Sequence, residues 1–189
     1  MQAVEKVSLT RTHGISVEPY MQKLNIIAVI GLGLGSVFGL AGTMVPQPHL
    51  RSTFWAIDAS GLVMACALLT IRFFRKGNDL VSAGFLVFAI GEGVILSGTA
   101  ANLAESVPAF AAGTALWATA LLLISIPREF AIWVRVSGVA ASILFAITAM
   151  RIFLGEQLLP ISKPLPFFGY PFLVITFVGW IWSLLKANV

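Results

Sequence analysis

Long apolar runs separated by short polar connections dominate the pattern along this chain. Each run is close to or above the roughly 20 residues that a helix needs to cross the hydrocarbon core of a bilayer. None shows the alternation with a period of two that is typical of membrane-barrel strands. The runs predict an all-α integral membrane protein with a bundle of six transmembrane helices, near residues 24–44, 52–74, 80–101, 108–126, 130–154 and 166–186.

Two parts of unequal length follow from this pattern. Residues 1–23 form a polar tail, and residues 24–189 form the membrane domain. The first apolar run of that domain is about 20 residues long, whereas the apolar core of a signal peptide has about 7–15. We therefore expect the first run to be retained as a spanning helix.

Composition supports a lipid environment. Charged residues make up 11% of the chain and apolar residues 58%, with a mean hydropathy of +0.94. A soluble domain has roughly 25% charged and 45–50% apolar residues. The net charge of +4 does not indicate a nucleic-acid partner, because no dense basic stretch with interleaved aromatic residues accompanies it.

Lysines and arginines are distributed unevenly over the connections between the predicted helices. Basic residues collect in short cytoplasmic connections, because their translocation across the membrane is unfavourable. A topology with both termini inside places nine of them on the inner side and three on the outer side. The inner set is Lys6, Arg11, Lys23, Arg72, Arg75, Lys76, Arg128, Arg135 and Lys186, and the outer set is Arg51, Arg151 and Lys163. We expect cytoplasmic termini and a bacterial inner membrane.

Tryptophans give partial support for these helix limits. Four of them lie near predicted helix ends, where an amphipathic ring prefers the membrane interface. These four are Trp55, Trp133, Trp180 and Trp182. Trp117 lies in the middle of a predicted helix and has to pack against protein or acyl chains.

The second and fifth predicted helices share a weak pattern. With two inserted residues, Ser60, Gly61, Thr70, Arg72 and Phe74 match Ser137, Gly138, Thr148, Arg151 and Phe153. A duplication of three helices, over residues 24–101 and 108–186, would place the halves in opposite orientations, as in the inverted repeats of small transporters. Chance alignment of helices rich in alanine, leucine and glycine is the alternative.

Glycines recur on single faces of two predicted helices. Gly31, Gly35 and Gly39 are spaced by four residues, and Gly84, Gly91 and Gly98 by seven. Small residues at such spacings let two helix backbones approach closely. The neighbour is either another helix of this chain or a helix of a second copy or partner membrane protein.

Glu92 is the first candidate for a functional residue. It lies about twelve residues inside the third predicted helix, or roughly 18 Å at 1.5 Å per residue, which is close to the bilayer midplane. An ionised carboxylate there costs at least about 2.5–3.5 kcal/mol, so we expect Glu92 to be protonated, paired or in contact with water. It is either a proton carrier or cation ligand, or a structural acid bonded to a hydroxyl or carbonyl group.

Two further charged residues lie inside predicted helices. Asp58 is about six residues into the second, and Arg151 is near the end of the fifth. Their similar predicted depth on the outer side suggests an ion pair between them, which would lower the cost of burying both charges. Fixing helix orientation is the plainer role for such a pair.

The sequence contains no recognisable motif for catalysis or for cofactor binding. The two histidines, His13 and His49, lie outside the predicted helices, so an axial pair for haem and a His-Glu-x-x-His zinc motif are missing. The single cysteine, Cys66, lies in an apolar run and suits a packing role. Neither a nucleotide-binding loop nor a hydrolase nucleophile motif occurs. We expect neither enzymatic activity nor a cofactor or metal.

Two functional hypotheses remain. One is a small-solute or ion transporter, channel or permease component, with Glu92, Asp58 and Arg151 on the pathway and coupling to protons through Glu92. The other is a non-catalytic accessory or assembly subunit whose glycine faces dock other helices. A midplane carboxylate favours transport, because scaffolding alone does not require it.

Overall fold

The computed structural model of the chain describes residues 17–99, 103 and 105–186. Within that part, the regular secondary structure is helical throughout and contains no strand. Six helical segments are long and apolar enough to cross a membrane: Gln22–Met44, Pro48–Arg75, Asp79–Gly98, Val107–Ser125, Ile132–Phe153 and Gly169–Lys186. The prediction of a multi-pass helical membrane protein is confirmed at this level.

The first segment is composite. Helix α1 (Val17–Leu34) passes into a short π-helical segment (Gly35–Gly39), which is followed by α2 (Leu40–Met44). The other five segments are single helices: α3 (Pro48–Arg75), α4 (Asp79–Thr99), α5 (Val107–Ser125), α6 (Ile132–Phe153) and α7 (Gly169–Lys186).

Three helices begin at other residues than the approximate limits predicted. Helix α1 begins at Val17, so the predicted polar tail overlaps it, and residues 1–16 lie outside the described residues. Helix α3 begins at Pro48 rather than near residue 52, since proline suits the first turn of a helix, where its missing N–H is not needed. Helix α7 begins at Gly169 rather than at residue 166, because the prolines before it cannot donate backbone hydrogen bonds.

Helices that follow one another along the chain pack side by side, and the first spanning segment also contacts α7. The bundle is therefore closed. Connections 76–78 and 126–131 meet at one end, which we call the basic end, where Lys76 Nζ donates to Glu129 Oε1 at 3.0 Å. Connections 45–47 and 154–168 belong to the opposite end.

Aromatic side chains fill the half of the bundle next to the basic end. Phe73 stacks on Phe85, with ring centroids 5.4 Å apart, and Phe85 meets Trp180 edge to face at 4.9 Å. Phe130 covers this group from the connection between α5 and α6. Trp180 is 1% exposed, so its predicted place at the membrane interface was wrong.

Outward-facing positions carry large apolar side chains on all the spanning helices. Examples that are about half exposed or more are Ile30, Phe74, Ile90, Ile126, Ile143, Met150 and Val178. A water-soluble monomer rarely exposes apolar surface on this scale. These faces suit contact with lipid.

Glycine faces meet helices of the same chain. A Cβ built at Gly31 would meet the Gly61 carbonyl oxygen and Ala65 of α3. At Gly91 it would lie 2.9 Å from Leu116 Cβ and 3.1 Å from the Gly113 carbonyl oxygen of α5. The contact at Gly31 is closer than real Cβ atoms come to backbone, and the backbone contact at Gly91 is tighter than most, so both helix pairs favour glycine.

Candidate functional site

One cavity lies between five of the six spanning segments, in the half of the bundle away from the basic end. The first segment, α3, α4, α5 and α7 line it, and Pro160 closes it from the connection before α7. The volume open to the centres of water molecules is about 60 Å³. One water needs about 10–15 Å³ by this measure, so the cavity has room for several waters or one small solute.

Asp58 and Glu92 both line this cavity. Asp58 is 9% exposed and Glu92 is 2% exposed. Because α3 begins at Pro48, Asp58 lies ten residues into the helix, or about 15 Å from its start. Asp58 is thus one turn further from the helix start than the sequence suggested, and its carboxylate lines the same cavity as Glu92.

Both carboxylates have a buried oxygen without a hydrogen-bond partner. These atoms are Asp58 Oδ1 and Glu92 Oε2. A third unpartnered buried atom, Trp117 Nε1, belongs to the same cavity lining. The Trp117 indole lies beside Glu92, but its N–H does not reach the geometry of a hydrogen bond. Buried polar atoms are normally satisfied, so the two carboxyl oxygens give this cavity acceptors for a polar occupant.

Other polar groups of the cavity already donate to backbone oxygens. Thr43 Oγ1 donates to the Leu40 carbonyl oxygen at 2.7 Å, and the Tyr170 hydroxyl donates to the Pro160 carbonyl oxygen at 2.9 Å. Their protons are therefore not available to the two carboxylates. This leaves the acidic oxygens as acceptors facing the cavity.

The described part of the cavity wall carries no positive charge. Among the described residues that line it, none is lysine, arginine or histidine. Nor do three or more His, Cys, Asp or Glu side chains come together anywhere in the described part of the chain to hold a metal ion. Two carboxylates in a mostly apolar wall attract a proton or a cation.

The π-helical segment forms part of this wall. Gly35 and Gly39, its first and last residues, both line the cavity. A Cβ built at Gly39 would lie 2.9 Å from Asp58 Oδ2, so glycine makes room for the carboxylate. Single π-helical turns are rare and are frequent at functional sites.

Below Glu92, towards the basic end, the bundle is closed. Phe88 lies one turn from Glu92 and stacks on Trp117, with ring centroids 5.6 Å apart. Phe177 covers Phe88 edge to face at 5.7 Å, and the aromatic group around Phe85 follows. The cavity therefore ends at these side chains.

Polar contacts hold the basic end together. The buried Arg72 side chain donates to Asn25 Oδ1, which joins α3 to α1. Arg135 Nε donates to the Ser125 carbonyl oxygen at 2.8 Å. Lys76 and Glu129 form the exposed ion pair described above.

Arg151 does not belong to this site. It pairs with Glu156, with Nη2 and Oε2 2.7 Å apart, and the expected ion pair with Asp58 is not formed. Arg151 lies two residues from the end of α6, whereas Asp58 is ten residues inside α3. The two residues are at different depths.

Sequence reasoning missed the residues that surround the two acids in the cavity. Trp117 was recognised as a mid-helix tryptophan but not as a cavity residue, and Tyr170 and Thr43 were not singled out. For Trp117 and Tyr170, the sequence offered one signal of a role in a site: each places a polar atom on a large side chain within an apolar helix. The short distance between Gly39 and Asp58 could not be read from spacing, since it joins two helices.

Comparison of the chain with models of known protein families, with curated proteins and with solved structures gave no match.

Proposed function

We propose that this protein is a small-solute or ion transporter whose binding site is the cavity between Asp58 and Glu92. The observation that carries the proposal is the pair of buried, unpartnered carboxylate oxygens facing one cavity, whose described lining residues include no basic side chain. Two carboxylates in a low-dielectric interior cost several kcal/mol unless a proton or cation compensates them. Transport explains why the protein retains two such costly carboxylates, because they take up and release a proton or cation in each cycle.

Asymmetry of the bundle supports transport by alternating access. Aromatic side chains and the Lys76–Glu129 contact close the basic end, whereas Thr43 and Pro160 line the cavity towards the opposite end. Many transporters hold substrate near the bilayer midplane and open to one side at a time. The conformation described here then has its gate shut on the basic side.

We propose that the basic end faces the cytoplasm of a bacterial cell, because nine of the twelve lysines and arginines belong to that side in this topology. Both termini are then cytoplasmic and the cavity faces outwards.

We also retain the inverted repeat as a proposal. In its support, Gly77 and Gly155, after α3 and α6, both have positive φ, +72° and +102°.

The accessory-subunit hypothesis has less support. It was based on glycine faces that could dock other membrane proteins. Gly31 and Gly91 instead meet helices of the same chain, and a cavity reaches Glu92.

Flux in proteoliposomes tests this function. We expect the wild type to move protons or one solute of a broad panel, and Glu92→Gln to lose at least about 90% of this flux, because the amide keeps the shape without the charge. Asp79→Asn is the matched control, since Asp79 is an exposed carboxylate in the first turn of the same helix. Equal flux in the wild type and Glu92→Gln, or none in either with both folded, would reject the proposal.

A further inference from the structure

Size limits what the cavity can bind. The space of about 60 Å³ for water centres corresponds to about five water-sized groups. A nucleotide, a sugar phosphate or a peptide does not fit such a space. A molecule of roughly four to six non-hydrogen atoms does.

Charge narrows the choice to a cation. The wall contains Asp58 and Glu92, and no lysine, arginine or histidine among its described residues. The unpartnered oxygens Asp58 Oδ1 and Glu92 Oε2 can accept hydrogen bonds, so a ligand that carries N–H donors together with its positive charge satisfies both requirements. Hydrogen bonds to charged groups are about twice as strong as neutral ones.

Aromatic side chains distinguish an organic cation from a metal ion. Phe110, Trp117, Tyr170 and Phe177 contribute to the wall, together with aliphatic side chains. Calcium requires six to eight oxygen ligands and magnesium a near-octahedral set, which two carboxylates in an apolar wall do not supply. Aromatic faces attract ammonium groups, and the attraction is stronger in a desolvated site.

We infer that the cavity binds a small alkylammonium ion, with its N–H groups on the carboxyl oxygens of Asp58 and Glu92 and its alkyl part against the aromatic wall. One of the two acids keeps a proton, so the single positive charge of the ligand balances the other, ionised carboxylate. This inference rests on the proposed function and names the substrate class of the same site. It assigns different roles to the two parts of the lining: the acids select charge, and the aromatic side chains exclude fully hydrated inorganic ions.

Calorimetric titration of the wild type in detergent micelles provides the first test, with propylammonium as the probe and 1-propanol as its neutral counterpart. The ionic strength is kept constant. We expect propylammonium to bind at least about tenfold more tightly, since its charged N–H groups make stronger hydrogen bonds to the acids than the neutral hydroxyl of 1-propanol does. Equal affinity for the two compounds, or no propylammonium binding at all, would overturn the inference.

Sodium and tetramethylammonium extend the test. Tetramethylammonium has the charge but lacks N–H donors, so we expect it to bind more weakly than propylammonium. Sodium should not displace propylammonium at equal concentration. Preferential binding of sodium would mean that the cavity is an inorganic cation site, and the inference would be wrong.

Substitutions of the two acids test whether propylammonium binds in this cavity. Asp58→Asn and Glu92→Gln should each weaken propylammonium binding at least about tenfold, because each removes one charge-assisted hydrogen bond. Asp79→Asn, at the other end of α4, should leave the affinity unchanged. Unchanged affinity in both cavity variants would overturn the inference, and the wild-type comparison above decides the matter if either variant does not fold.

Failure of this inference is distinguishable from failure of the transport function. Flux that depends on Glu92 without binding of propylammonium would mean that only the substrate class is wrong. Propylammonium binding without flux of protons or propylammonium would mean that the site exists and that the transport function is wrong.

Discussion

At the scale of single residues, the feature that needs a physical explanation is the placement of two acids in an apolar bundle. Glu92 and Asp58 lie on different helices, and each keeps an oxygen without a partner. A structural acid would be expected to bond a neighbouring hydroxyl or carbonyl group. The nearby hydroxyls of Thr43 and Tyr170 instead donate to backbone oxygens, which leaves the acids facing the cavity.

Gly39→Ala should impair this site. The added Cβ would lie 2.9 Å from Asp58 Oδ2, so the carboxylate has to move and the cavity becomes smaller. We expect propylammonium affinity and flux to fall several-fold, measured by calorimetry and in proteoliposomes, since overpacking displaces side chains. Gly33→Ala in the same segment is the control, because its Cβ would meet nothing within 4 Å. A loss of equal size in the control would show that the effect is not specific to Asp58.

At the scale of helices, close backbone contact through glycine determines which elements can approach. On α4, Gly84, Gly91 and Gly98 all face α5. Gly93, two residues beyond Gly91, faces open space. The two glycines that flank Glu92 therefore differ: Gly91 brings α5 with Trp117 close to Glu92, while Gly93 faces away from the contact.

Gly91→Ala should destabilise the bundle by about 1–3 kcal/mol, the usual cost of overpacking. Its Cβ would come 3.1 Å from the Gly113 carbonyl oxygen, and backbone gives way less easily than a side chain. Gly93→Ala is matched in residue type and helix, and should be neutral or slightly stabilising, since alanine is the better helix former. Thermal or denaturant unfolding in detergent would measure both. Equal stability of the two variants would contradict the assigned packing.

At the scale of the whole molecule, the bundle has two unlike ends. Aromatic packing and polar contacts between connections close the basic end, and the cavity lies in the other half. The orientation in the membrane decides whether this cavity receives its solute from the outside or from the cytoplasm.

Cysteine labelling in intact bacterial cells should establish this orientation. Cys66, the single native cysteine, is fully buried, so the wild type gives a low background with a membrane-impermeant maleimide. Lys163→Cys, in the exposed connection before α7, should react in intact cells, and Lys76→Cys only after permeabilisation. The reverse result would place the cavity on the cytoplasmic side.

Local properties of the sequence were sufficient for the number of spanning helices and their approximate limits. Whether a run of about 20 apolar residues can span the bilayer depends on the run itself, because lipid is its solvent. Glu92 could also be singled out, since a carboxylate deep in such a run is costly wherever it points.

Only the tertiary structure decided which residues meet. Asp58 shares a cavity with Glu92 and does not form an ion pair with Arg151, because the packing of α3 against its neighbours turns Asp58 into the bundle and Arg151 pairs with Glu156. The π-helical segment, the position of Trp117 beside Glu92 and the aromatic closure of the basic end likewise depend on contacts between helices distant in sequence. The length of an apolar run determines whether a helix spans the membrane. Packing against neighbouring helices determines the depth and rotation of that helix, and these decide which side chains reach the cavity.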